Sequence, residues 1–533
     1  MLQPLSPSTL RLLLLLTATW TGQGSAQAKD PRPNIVLIMC DDMGFSDLSC
    51  YGSEIPTPHL DSLAARGLRF TDFHNNAKCS ETRASLMTGL WHHQSNHLKL
   101  PGHVTLAEVL RRAGYRTYMS GKWHLDSTPP ERGFDRYFGF LSGAINFFTG
   151  MDWQVDENLM RLDGNVYQPP SDFYSTNAFT DFAIDFLKSE KENSDRSEKP
   201  FFLYLAHNAP HFPLHALPED IERFSGAYDQ GWDAIRKSRY QRLLELGIID
   251  ESWPLSERDP KVEPWNELTK KEQDFLAPMM EVYAAMVHRL DQNIGRLTRF
   301  LESTGQLDNT LILFLSDNGA CPYERLRTAV KKPGAVESDI AYDARWANMC
   351  NTPLRLYKQY AHQGGTLTPM IAHWPAGIES RGGLCSFPAH LVDIMPTLAE
   401  LANADYPTEY KGQKIHPMEG TSLVSVLRGN KRVKREQPIF WEFSGNHAVR
   451  SGEWKLVAER GKPWELYHLS KDRSETTNLA DQNPDIANNL AKTYEQWSER
   501  VGARSHAQSM KMKPSKQSQL FDLKMILDPS PTQ

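Results

Sequence analysis

Asp41-Asp42 and Asp317-Asn318 each stand directly behind a short apolar run, and together they offer only oxygen donors. An all-oxygen set suits a hard divalent cation such as Ca²⁺ or Mg²⁺ and disfavours zinc or copper. Either motif taken singly reads as an ordinary turn after a strand. Two acidic motifs behind two buried runs point beyond turns to a metal. Lys122 and His124 lie two apart in GKWH, so an extended segment places both on one side. His207 and His211 occur in HNAPHFP, where Pro210 and Pro213 stiffen the loop around His211. Cations and proton-transferring groups beside a metal suit an anionic substrate whose charge is neutralised in the transition state.

Cys79 opens the stretch CSETRASLMTG. Helix formers run from Thr82 to Met87 and Gly89 stops them, which puts Cys79 at a helix entry. Unpaired backbone N–H groups there favour an anion, and Arg83 lies one turn along. Three fates are open to Cys79: a core or disulfide cysteine, a thiolate activated by a histidine, or the precursor of a modified residue. The first two leave the oxygen-rich set without a purpose.

The elements that must position these groups are legible as four continuous apolar runs. They are NIVLIM (34–39), YRTYMS (115–120), FFLYLA (201–206) and TLILFLS (310–316). Such runs, separated by helix-like stretches, are the pattern of strands buried on both faces in an α/β sheet. Ligands gather beyond the carboxyl ends of such strands, which is where all four sets of polar groups fall.

At 533 residues the chain can bury a large core and has room for a second domain. Its net charge of −6 and the lack of a sustained basic block exclude a nucleic-acid footprint. Arg11, the run LLLLLTATW and the small-residue pattern SAQA predict a signal peptide over 1–28 and an exported, periplasmic or secreted protein. No later run is long and apolar enough to span a membrane. Six cysteines in so long an exported chain make disulfides possible, while the absence of Cys-x-x-Cys argues against a zinc cluster.

CSETRASLMTG resembles the signature of the type I sulfatases, Cys-x-(Pro/Ala)-x-Arg followed by Thr-Gly, whose cysteine is converted to Cα-formylglycine. LIMCDDMGFSDLSCYG, GYRTYMSGKWHLD, APHFPL, LFLSDNGA, NTPLRLYKQYAHQGG and ELYHLSKDRSETTNLA are similar to family segments in the family's order, from about Asn34 to Ala480. Within the family the chain is closest in appearance to bacterial arylsulfatases. The resemblance implies that Asp41, Asp42, Asp317 and Asn318 bind one Ca²⁺ and that Cys79 is the formylglycine precursor. It implies that Arg83 and Lys122 steady the modified residue, and that His124, His211 and Lys358 bind sulfate or move protons around it. His207 and His362 receive no role. The implied reaction is hydrolysis of an aryl or carbohydrate sulfate by a hydrated aldehyde at position 79, with His211 protonating the leaving group and His124 acting as the base that releases sulfate. A formylglycine-generating maturation enzyme is the implied partner. Glu81 departs from the pattern, standing where Pro or Ala is usual.

The resemblance also implies an alkaline-phosphatase-like α/β fold around a large mixed sheet, with a smaller C-terminal α+β domain carrying an antiparallel sheet. The division expected is a catalytic domain over 29–430 and a C-terminal domain over 431–533 with a polar tail. The basic stretch RGNKRVKREQP (428–438) marks the junction, HAVRSGEWKLVAE and WELYHLS read as strands, and DIANNLAKTYEQWSERV has helical spacing. Between His211 and residue 281 lies a long insertion carrying Tyr228, Trp232, Tyr240, Trp253 and Trp265, which either pack or line the substrate cleft. Two other functions compete: a phosphodiesterase or phosphonate hydrolase of the same superfamily, and a catalytically silent protein that binds sulfated glycans.

Overall fold

The structure is a computed structural model that describes residues 31–527, apart from 96–99, 101, 153–154, 156, 190–198, 328–331, 431 and 515–519. The expected signal peptide lies outside the described residues. The four apolar runs form β1 (Asn34–Cys40), β3 (Arg116–Lys122), β7 (Phe201–Ala206) and β8 (Thr310–Ser316). They are joined in one sheet by β2 (Leu68–Phe70), β4 (Arg136–Phe140), β5 (Met160–Leu162), β6 (Asn165–Val166), β9 (Met370–His373) and β10 (Gly383–Cys385).

The strand order is β10-β2-β9-β8-β1-β7-β3-β4-β5-β6. The four runs are therefore neighbours at its centre, and β8, β1, β7, β3 and β4 are all parallel. Parallel pairing brings their carboxyl ends to one rim. The flanks are mixed, with β9 antiparallel to β8 and to β2, and β5 antiparallel to β4.

Each central strand feeds two cores. Val36, Ile38 and Cys40 of β1 face one side, and Ile35, Leu37 and Met39 face the other. Burying an aliphatic side chain contributes about 1.5–3 kcal/mol, so continuous apolar runs are stable only where both faces are covered. One face is covered by α1 (Pro58–Ala65), α4 (Ser175–Ser189) and the long α5 (Lys270–Ser303), whose start is capped reciprocally by Thr269 and Glu272. The other is covered by α2 (Cys79–Thr88), α3 (Leu106–Arg112) and α6 (Ile394–Leu401).

Beyond residue 438, β11 (Ile439–Phe443), β12 (Asn446–Ser451), β13 (Trp454–Ala458) and β14 (Glu465–His468) form an antiparallel sheet in sequential order. The helix α7 (Pro484–Val501) packs on it. Its core takes in Trp91, Ala361 and Val392 from the preceding part of the chain, so the two sheets share an apolar seam. Within the polar tail, Phe521 and Leu523 return to the main core, where the Phe521 ring meets Phe275. The insertion aromatics pack instead of lining a cleft, with Trp232 and Trp265 edge to face at 4.7 Å and both against Trp346. Among the described residues no helix is long and apolar enough to cross a membrane.

Candidate active site

Four strand ends and one helix start converge on the rim. β1 delivers Asp41 and Asp42, β8 delivers Asp317 and Asn318, β3 ends on Lys122, and the loop after β7 carries His211. Cys79 is the first residue of α2, which ends at Gly89 in the left-handed conformation, its N–H donating to Ser85 O at 2.8 Å. Two glycines let backbones close in around these groups. At Gly121 φ is +114° and a Cβ would lie 1.9 Å from Ala206 O, while at Gly319 it would lie 1.8 Å from Gly364 O.

The site is a buried mesh of opposite charges. Lys122 Nζ donates to Asp41 Oδ2 at 2.5 Å, Arg83 donates to Asp317 Oδ2 at 2.9 Å, and Lys358 Nζ pairs with Asp42 Oδ1. Asn318 Nδ2 donates to Asp42 Oδ1 at 2.6 Å, and His211 Nε2 lies 3.5 Å from Asp42 Oδ2. The Cys79 thiol and carboxylate oxygens of Asp41 and Asp317 lie within 4.8 Å of one another. Arg83 also donates to Lys122 O and Tyr204 OH, so its guanidinium braces the carboxylates and the strand end.

The oxygen set meets the chemical test for a hard cation. Asp41 Oδ1, Asp42 Oδ2 and Asn318 Oδ1 are buried and have no hydrogen-bond partner among the described residues, leaving three lone-pair donors from three of the four residues expected to bind metal. Burial alone would raise Asp41, but Lys122, His211 and Arg83 outweigh it and hold this carboxyl below the usual range. Asp317 moves the other way, raised by burial and then by the Asp41 charge.

The histidines differ. Burial pushes His211 down to about 3, and its Nδ1 lies 2.6 Å from the carbonyl of Phe212. His124 is lowered by burial and then by Lys122, Lys78 and Arg83, which keep it neutral. The expectation that Lys122 and His124 share one extended segment is corrected: β3 ends at Lys122, Trp123 is buried with its N–H bonded to Phe140 O, and His124 turns back at φ +54°. Gly143 makes room for its ring, since a Cβ there would lie 3.0 Å from His124 Nε2. His207 is buried, and neither ring nitrogen has a hydrogen-bond partner among the described residues. His362 Nε2 lies 2.9 Å from Glu465 Oε2, which joins the Lys358 loop to β14.

The sulfatase family model matches residues 33–404, well over half the chain. The protein belongs to the sulfatase family. A second model, described as N-sulphoglucosamine sulphohydrolase, C-terminal, matches residues 355–500. The chain is 35% identical to an uncharacterized sulfatase of Schizosaccharomyces pombe, over 88% of this chain and 94% of that one. It is 34% identical to an arylsulfatase of Klebsiella aerogenes, over 78% and 96% respectively. Among solved structures it is similar to Ps i-CgsB in complex with k-i-k-neocarrahexaose, at TM-score 0.65 and 26% identity, covering 91% of this chain and 95% of that one. The alkaline-phosphatase-like fold and sulfuric ester hydrolase activity follow from these relations.

In this sulfatase all six cysteines are buried and none forms a disulfide. Cys40 packs in the core, with Sγ 3.7 Å from Met43 Sδ. Glu81 is also buried, accepting from Ser80 Oγ at 2.6 Å, and burial raises its carboxyl. Sequence reasoning missed two residues at the sulfatase's rim, Lys78 and Tyr323. Lys78 directly precedes Cys79 and so carried a positional signal, whereas Tyr323 arrives from the loop after β8 and carried none.

Proposed function

We propose that this sulfatase hydrolyses aryl or carbohydrate sulfate esters with Cys79 converted to Cα-formylglycine and one Ca²⁺ in the Asp41, Asp42, Asp317 and Asn318 set. The observation that carries this reading is the meeting of three matched cation–carboxylate pairs, three unpartnered oxygens and the Cys79 thiol at one buried point. Converted, position 79 supplies a hydrated aldehyde as nucleophile, a chemistry that a thiol lacks. Bound Ca²⁺ supplies positive charge to a sulfate oxygen.

The chain's own groups would do the rest. Lys122 and Lys358 face the ester's developing negative charge from a water-poor setting, where fixed charges act most strongly. Arg83 holds Asp317 and the end of β3 in register. His211, with Nδ1 turned to the Phe212 carbonyl, presents Nε2 to the site. Its acid role needs the anionic ester to raise it from its buried, neutral state. His124 is kept neutral by burial and neighbouring cations, and its base role needs the bound anion to offset those cations.

Mass spectrometry of the peptide spanning 79–83, from protein made in its native host, tests the reading most directly. Formylglycine is about 18 Da lighter than cysteine. Finding only unmodified Cys79 there would sink the proposed chemistry. Conversion together with release of sulfate from 4-nitrophenyl sulfate would support it.

A further inference from the structure

Three of the four cations at the site are matched by carboxylates: Lys122 by Asp41, Arg83 by Asp317 and Lys358 by Asp42. Lys78 is not. Among the described residues its Nζ has neither a hydrogen-bond nor an ion-pair partner, and it lies over the Tyr323 ring, 5.8 Å from the centroid. Glu81, the nearest acidic residue along the chain, accepts from Ser80 Oγ, and its charge acts on Lys78 without forming an ion pair. An ammonium left unmatched in a partly buried setting is unfavourable unless something anionic comes to it.

What surrounds Lys78 indicates where that anion sits. Lys358 lies over the same Tyr323 ring at 5.5 Å, so a single aromatic side chain adjoins both the sulfate-side lysine and Lys78. The ring is held by Gln359, which bonds its hydroxyl, and the Phe212 ring stands 6.0 Å away. Cys79 and Lys358 are buried, whereas Lys78, Tyr323 and Phe212 are half-buried. The order from inside to outside is therefore nucleophile position, matched cations, then an aromatic wall with a spare positive charge. That outer layer is where the alcohol part of a bound ester would lie.

We infer that Lys78 and Tyr323 form a leaving-group subsite that selects esters of a ring carrying a second anionic group, a carboxylate or another sulfate, beside the scissile one. The ring would lie against Tyr323, and the second anion would match Lys78. A cation in the oxygen set makes the site more positive still, which favours a dianionic ester over a monoanionic one. The inference rests on the sulfate-ester reading and deepens it.

The test compares 4-nitrophenyl sulfate with its analogue bearing a carboxylate ortho to the sulfate ester. The parent should prefer the carboxylated ester in kcat/KM by about 10-fold, less at high salt, as a single partly screened charge pair allows. In Lys78→Met the ratio should fall to about 1, and in Lys78→Arg it should recover most of its value. Tyr323→Leu should weaken both esters and keep part of the preference. An unchanged ratio in Lys78→Met would overturn the inference. So would an equal loss on both esters, which would make Lys78 a ligand of the scissile sulfate. Absence of turnover on either ester would count against the sulfate-ester chemistry alone. Calorimetric binding of both esters to Cys79→Ala, with and without Lys78→Met, then decides: tighter binding of the dianion that Lys78→Met abolishes supports the subsite, and equal affinities refute it.

Discussion

Replacing Cys79 by Ser changes one atom and nothing in the surrounding packing, so its effect isolates the chemistry of that position. Turnover of 4-nitrophenyl sulfate should drop by about 10³-fold or more in a host that does not convert serine, while Ca²⁺ affinity stays within a few-fold. Parent-like turnover would refute the aldehyde role. Asp317→Ala acts on the proposed metal set instead, removing an oxygen donor and leaving Arg83 without its carboxylate. Calcium titration of chelator-treated protein should show affinity lower by about 100-fold. Gly143→Ala is milder: the new Cβ would press on the His124 ring. We expect kcat to fall by about 10-fold with little change in Tm, because misplacing the proposed base costs rate more than stability. Unchanged kcat would mean that His124 can shift at no cost to function.

At the scale of elements, β11 is tied to the segment after α2 through Glu442. Burial alone would raise this carboxyl, but the His93 hydrogen bond and charge, the Gly445 N–H and Arg504 outweigh it and bring it down to about 2. A depressed carboxylate stabilises the fold above its unfolded value near 4.5, and that stabilisation is lost as pH falls through 2. Glu442→Gln should therefore lower Tm at pH 7, and the gap to the parent should close between pH 4.5 and 2. A gap that stayed constant with pH in melting curves would show that Glu442 acts by packing and not by charge. A second tie is Glu465 of β14, which receives Arg355 at 3.3 Å and His362 at 2.9 Å from either side of Lys358. The smaller sheet thereby braces the loop that brings Lys358 to Asp42.

In the molecule as a whole, the two sheets meet across Asp72, which is bound by both terminal nitrogens of Arg450, by Arg473 and by His74. Arg450→Met should destabilise the protein by about 3 kcal/mol, because it strips a buried carboxylate of its bidentate partner. Denaturant melts should register this as a loss of stability across the whole chain. An independent early transition would instead mean that the C-terminal sheet unfolds by itself. How much of this was legible beforehand follows from range. Each central strand, the stop at Gly89 and the polar groups behind the strands are local patterns, set by side-chain periodicity and backbone sterics within a few residues. The order of the strands, the turn at His124, the clamp from Glu465 and the unmatched charge of Lys78 depend on partners up to hundreds of residues away. The sequence by itself determined which groups could do the chemistry and which runs would be strands, because burial on two faces demands continuous apolar residues. Only the tertiary structure decided which cations are matched and which one is left over, because charge pairing depends on distance in space.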